Sequence, residues 1–158
     1  ANSGDCFVIS VNFIDPALGA DMAFFGNTKR YSEYIEPIKR FSGRTIVSSN
    51  IKDREDADIV VNYADYLNND PGIIDNSGLM LMNLLSDIGV KHISLAGFDG
   101  FDADRRTNYY DELENVAERW YLQAQNKSVS IRIKQLSAKM DIDFITSSIY
   151  ESVGSDEI

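Results

Sequence analysis

The residues best suited to chemistry are Asp75-Asn76-Ser77-Gly78-Leu79-Met80. They open an apolar run with helical spacing, and a helix start offers free backbone N–H groups and the positive end of a dipole to an anion. Capping by Asn76 or Ser77 accounts for one of these residues. It does not ask for Gly78 behind them, because glycine in a first turn costs stability unless something must approach the backbone. A second cluster is Gly97-Phe98-Asp99-Gly100, with Asp102 and Asp104 just beyond. Asp99 has the chemistry to grip a ribose or sugar hydroxyl, or to hold a metal ion weakly. A plain turn uses the same residues. The three acids match no calcium-loop spacing, so no metal site is assigned. Lys29-Arg30 is a compact basic pair, equally suited to a phosphate and to a solvated surface.

Other chemistries are set aside. The sequence has neither a Gly-x-x-x-x-Gly-Lys-Ser phosphate loop nor a Gly-x-Gly-x-x-Gly dinucleotide loop. It has one histidine and one cysteine, which excludes a zinc cluster built from these residues. His92 precedes a strand, at the end away from the other polar residues, and reads as a surface side chain. A Ser-His-Asp triad therefore lacks a base. No residue is assigned a catalytic role, and no cofactor is named.

Strands and helices must position these groups. Strands are expected at Cys6–Val11, Asp21–Phe25, Arg44–Ser48, Asp58–Val61, Lys91–Ala96 and Ile142–Ile145. The first is apolar enough to be covered on both faces, which would make Cys6 a buried small hydrophobe. A weak helical pattern over Tyr31–Phe41 is interrupted by Pro37, and Tyr63–Leu67 suits one helical turn. The clearest helix is Ser77–Ile88, with Leu81, Met82, Leu85 and Ile88 as its core stripe and Gly89 as its stop. Asn108 to about Lys139 is mostly helical, with Asn126-Lys127-Ser128 as a break. Alternating strands and helices give a parallel sheet, with ligands beyond the strands' carboxyl ends. Asn12, Asn27, Asn50 and Asn62 follow the first four strands. As a group they suit a hydroxyl-rich ligand, since each amide offers a donor and an acceptor; turns and strand ends also favour asparagine.

Composition bounds the remainder. The chain has 158 residues, 44% hydrophobic, with a formal net charge of −10. That charge repels phosphate backbones and anionic lipid, so nucleic acid and membrane are not expected partners. One domain is expected over residues 1–150, with a polar tail at 151–158. The expected location is cytoplasmic, and a homo-oligomer is compatible with the aromatic stretch Tyr109-Tyr110 to Trp120-Tyr121.

The strings Ile9-Ser10-Val11-Asn12-Phe13-Ile14, Ala23 to Tyr31, Asp75-Asn76-Ser77-Gly78 and Ser94 to Phe101 resemble a domain found behind aldolase barrels. These barrels are of the 4-hydroxy-2-oxovalerate aldolase and isopropylmalate synthase type. The resemblance covers most of the chain. It implies an accessory domain whose parent is a carbon–carbon lyase, with the aldol chemistry in an N-terminal barrel and none in this domain alone. More distantly, the Ser-Gly helix start and Gly89 to Asp99 are similar to bacterial sialyltransferases and to 6-hydroxymethylpterin diphosphokinase-like proteins. That likeness implies a pocket lined by Asn12, Asn27, Ser77, Gly78 and Asp99. The sialyltransferase catalytic histidine has no counterpart here, and neither does the glycine-rich loop after the first strand.

The expected fold is α/β: a three-layer Rossmann-like parallel sheet with helices on both faces, without its first strand and glycine-rich loop. The expected function is binding of a nucleotide or sugar phosphate at the strand ends. The residues expected to bind are Asn12, Asn27, Lys29, Arg30, Asn50, Asn62, Asn76, Ser77, Gly78, Asp99 and Asp102. The alternatives are a nucleotide-sugar or pterin transferase, and a structural or dimerisation module for the barrel.

Overall fold

The computed structural model describes residues 6–101 and 119–151. The chain is a mixed α/β protein that packs as two compact units. One comprises Ala1–Asn68 with Asp75–Leu81, the other Asn69–Ile74 with Met82–Ile158.

The first unit is built on a parallel sheet of four strands in sequential order: β1 (Ile9–Val11), β2 (Met22–Phe25), β3 (Arg44–Ser48) and β4 (Ile59–Val61). Register runs Ile9 to Met22, Met22 to Arg44 and Ile46 to Ile59. The central strands carry the core. Ala23, Phe24, Phe25 and Val47 are fully buried, so both faces of β2 are covered, as parallel pairing demands. The edge strands β1 and β4 are only half-buried on average, and Val60 is exposed. On one face Ala23, Phe25 and Val47 pack with Ile14, Tyr31, Ile38 and Ile51. Tyr31 stands edge-on to Phe25 at 5.6 Å. It lies on α1 (Thr28–Glu33), which is followed directly by α2 (Ile35–Lys39). Pro37 does not break a helix here, because it sits in the first turn of α2, where a missing N–H costs nothing. The short helix α3 (Tyr63–Tyr66) follows β4.

The apolar run before β1 behaves differently from expectation. Cys6 is exposed and Phe7 is 64% exposed. Pairing begins only at Ile9, because the Val8 N–H is taken by the Asp21 carboxylate at 2.8 Å. Cys6 is therefore a surface thiol and not a core residue.

Helix α4 (Ser77–Asp87) starts in the first unit. Leu79, Met80, Leu81, Met82 and Leu84 are buried, whereas Ile88 lies past the helix end at 65% exposure. The core-facing surface is thus broader and earlier than the expected stripe. Gly89 ends the helix with φ 86°. Its N–H reaches the Ser86 carbonyl at 3.2 Å and the Val90 N–H reaches Leu85 at 2.9 Å, the paired bonds of a left-handed glycine stop.

The second unit contains β5 (His92–Leu95), which pairs in parallel with β6 (Asp141–Phe144), and α5 (Arg119–Ser137). Leu122, Val129, Ile133 and Leu136 form a buried stripe along α5. The expected break at Asn126-Lys127-Ser128 does not occur. Asn126 falls on that stripe and spends its amide on tertiary bonds, which removes its competition with the helix backbone. It accepts from the Phe101 N–H at 2.9 Å and from the Tyr150 hydroxyl at 2.8 Å, and donates to the Phe101 carbonyl at 2.6 Å. Ser128 donates to the Asp70 carboxylate. No helix among the described residues is long and apolar enough to cross a membrane.

Candidate functional site

The carboxyl ends of β1, β2 and β3 are wired together around Gly26, directly after β2. Asn12 follows β1 with φ 54°, a left-handed turn that asparagine tolerates. Its N–H donates to the Phe24 carbonyl at 2.8 Å, and its Oδ1 accepts from the Gly26 N–H at 3.2 Å. From β3, the buried Ser48 hydroxyl donates to Asn50 Oδ1, and Asn50 Nδ2 reaches the Gly26 carbonyl at 3.4 Å. Both peptide groups of Gly26 are therefore fixed by side chains from neighbouring strand ends.

The start of α4 closes on this glycine. A Cβ placed on Gly26 would stand 2.7 Å from Ser77 Oγ and 3.2 Å from Ser77 Cβ. Ser77 is 8% exposed. Its hydroxyl makes no hydrogen bond among the described residues, yet it is not sealed from solvent. Asn76 Oδ1 accepts from the Leu79 N–H at 3.1 Å, and the Asn76 carbonyl accepts from Met80 at 2.9 Å. Those bonds leave the Ser77 and Gly78 N–H groups outside the capping arrangement. A buried hydroxyl and two helix-start N–H groups thus sit together beside a bare glycine, a donor set suited to an anionic or hydroxyl oxygen. Near the end of β4, burial pushes the Tyr63 phenol up, with the Asp75 charge adding to the effect.

The other expected residues have more local duties. Asn27 caps α1 by accepting from the Arg30 N–H at 3.1 Å, and Asn62 caps α3 by accepting from Ala64 at 3.4 Å. Lys29 and Arg30 both face Glu33, at 3.9 and 2.9 Å, so their charge is partly compensated. Asp99 belongs to the second unit. Its Oδ1 accepts from the Thr146 hydroxyl at 3.2 Å, and its carbonyl accepts from the Ile149 N–H at 3.2 Å. Asp102 lies outside the described residues, as do Asp104 and Tyr109-Tyr110. Among the described residues, no three of His, Cys, Asp and Glu group as metal ligands.

Two features escaped the sequence. Gly26 and Ser48 are central to the strand-end wiring, and the signal for them was only their place after β2 and at the end of β3. His92 also has company: its Nε2 lies 3.2 Å from Asp143 Oδ1 and 3.3 Å from Ser94 Oγ. Parallel register sets Ser94 opposite Asp143. Both contacts use the same ring nitrogen, whereas a catalytic relay needs serine on one nitrogen and the carboxylate on the other. The cluster is an exposed cross-strand link and not a triad.

No family model matches the chain, and no curated protein or solved structure matches it.

Proposed function

We propose that the chain is a ligand-binding accessory domain that takes a nucleotide or sugar phosphate at the carboxyl end of its four-strand sheet. In this reading the domain is Rossmann-like, works in the cytoplasm, and serves an N-terminal aldolase-type barrel that carries out carbon–carbon bond cleavage. One observation carries the proposal: the Ser77 hydroxyl, nine-tenths buried at the start of an eleven-residue helix, has no partner among the described residues. Because that hydroxyl is still reached by solvent, a ligand oxygen can take the place of water on it and gain a hydrogen bond of about 1.5–3 kcal/mol where the oxygen is charged. The phosphate would accept from Ser77 Oγ and from the Ser77 and Gly78 N–H groups. Asn12 and Asn50 would hold Gly26 in place, and its missing side chain lets the ligand come close. Lys29 and Arg30 would contribute long-range attraction from α1.

The test is a thermal-shift panel of nucleotides, nucleotide sugars and sugar phosphates on the wild type and on Ser77→Ala. A ligand at a hundredfold its dissociation constant should add about 2.7 kcal/mol to wild-type stability. The variant should retain its fold and lose at least about tenfold in affinity, the equivalent of one hydrogen bond to a charged group. A blank panel on folded protein, or equal binding by both proteins, would overturn the reading.

A further inference from the structure

The opposite end of the same sheet holds a cavity of about 820 Å³, lined by residues from the amino ends of β2 and β3, the loop after β1 and the end of α2. That volume is in the range of small-molecule sites. Its apolar wall includes Ile14, Met22, Pro37 and Phe41. The wall is preformed. The Arg44 N–H donates to the Asp21 carbonyl at 3.0 Å, and the Asp21 and Met22 N–H groups both donate to the Val8 carbonyl. A side chain at Gly43 would collide with the Asp21 carbonyl and the Phe41 ring, so this loop is locked against the strand before it.

The charges in the lining are unequally engaged. Asp15 Oδ1 accepts from the Ala17 N–H at 2.8 Å, and Asp21 Oδ2 accepts from Val8 at 2.8 Å. Glu36 pairs with Lys39 at 3.0 Å, which holds its carboxyl below the ordinary value. Arg40 and Arg44 line the same cavity, and neither guanidinium makes an ion pair or side-chain hydrogen bond among the described residues, although the Arg40 charge adds a minor pull on the Glu36 carboxyl. The acids are committed and the guanidinium groups are not.

We propose that this cavity binds an organic anion, with an oxyanion head held by Arg40 and Arg44 and a flat apolar body against Phe41, Pro37, Met22 and Ile14. Guanidinium presents a planar donor fork to carboxylate and phosphate alike, so the head group is set by chemistry common to both. The site is distinct from the strand-end site at Ser77, which lies at the other end of the sheet.

The experiment is a titration of nitrogen-labelled protein with naphthoate, naphthyl phosphate and uncharged naphthamide, followed by amide NMR. Both anions, or one of them, should shift amides in residues 14–22 and 36–44 and leave Gly26, Ser77 and Gly78 in place. The difference between the two affinities identifies the preferred head. Naphthamide should bind at least about tenfold more weakly, and Arg40→Gln with Arg44→Gln should lower anion affinity to a similar level. Both arginines are exposed, and the wild-type titration stands even if the double variant misfolds. Equal binding of naphthamide and the anions overturns the charge assignment, and shifts at Ser77 alone, or none, overturn the site.

Discussion

Replacing Gly26 by alanine tests the strand-end geometry through stability. The added Cβ would lie 2.7 Å from Ser77 Oγ and 3.2 Å from Ser77 Cβ. Carbon contacts are comfortable at about 3.5–4.0 Å, so rotating the hydroxyl away relieves only the first clash. The backbone cannot retreat freely either, since Asn12 and Asn50 hold both peptide groups of Gly26. Overpacking of this kind costs about 1–3 kcal/mol. The stiffer unfolded chain of an alanine variant returns about 0.4–1 kcal/mol, leaving a net loss of about 1–2 kcal/mol. Ser77→Gly alone should also destabilise, by about 0.5 kcal/mol, through helix propensity. In the Gly26→Ala background the same change removes the obstacle and should stabilise, so its sign reverses. The assay is denaturant unfolding of the four proteins by circular dichroism. Fluorescence is a poor probe here, because the single tryptophan, Trp120, belongs to the second unit. Non-additivity of at least about 1 kcal/mol is expected. Additivity within about 0.5 kcal/mol, the behaviour of independent sites, would refute the contact.

Asn126→Ala should lower stability by about 2 kcal/mol, because it removes the Asn126 bonds to the Phe101 peptide groups and to the Tyr150 hydroxyl; faster amide exchange at Phe101 would report the loss directly. Gly89→Ala, at φ 86°, should cost about 1–2 kcal/mol in thermal unfolding, and a neutral result would contradict the left-handed stop. The Ser128 hydroxyl, then the Gly72 N–H, hold the exposed Asp70 carboxyl below its ordinary value. Its stabilising contribution is therefore present above the unfolded value near about 3.9 and lost as pH falls through the lower folded value. Carboxyl NMR should show Asp70 titrating below the ordinary aspartate range and rising in Ser128→Ala; an ordinary midpoint in both proteins would contradict the bond.

Local pattern and tertiary pairing contributed unequally to what the sequence revealed. The β-branched run Thr45-Ile46-Val47 marks β3 correctly, because a central strand is buried on both faces and reads as apolar throughout. The equally apolar run from Cys6 fails before Ile9, since an edge strand extends only as far as its neighbour and Asp21 claims the Val8 amide. The helix start at Ser77-Gly78 was legible from capping chemistry and an otherwise unneeded glycine. Its approach to Gly26 was not, because nothing local reports a contact between residues so far apart in sequence. Asn126 misled for a related reason: its intrinsic preference opposes a helix interior, but tertiary bonds to Phe101 and Tyr150 override that preference. The same limit hid the link between His92 and Asp143, which depends on strand register.

Ligand binding at the strand ends is tested most directly by amide NMR of the wild-type protein with the nucleotide or sugar phosphate that gives the largest thermal shift. The largest movements are expected at Gly26, Ser77 and Gly78, with those amides no longer responding in Ser77→Ala. A bound ligand that leaves these three amides unmoved, or a panel that contains no ligand, would contradict it.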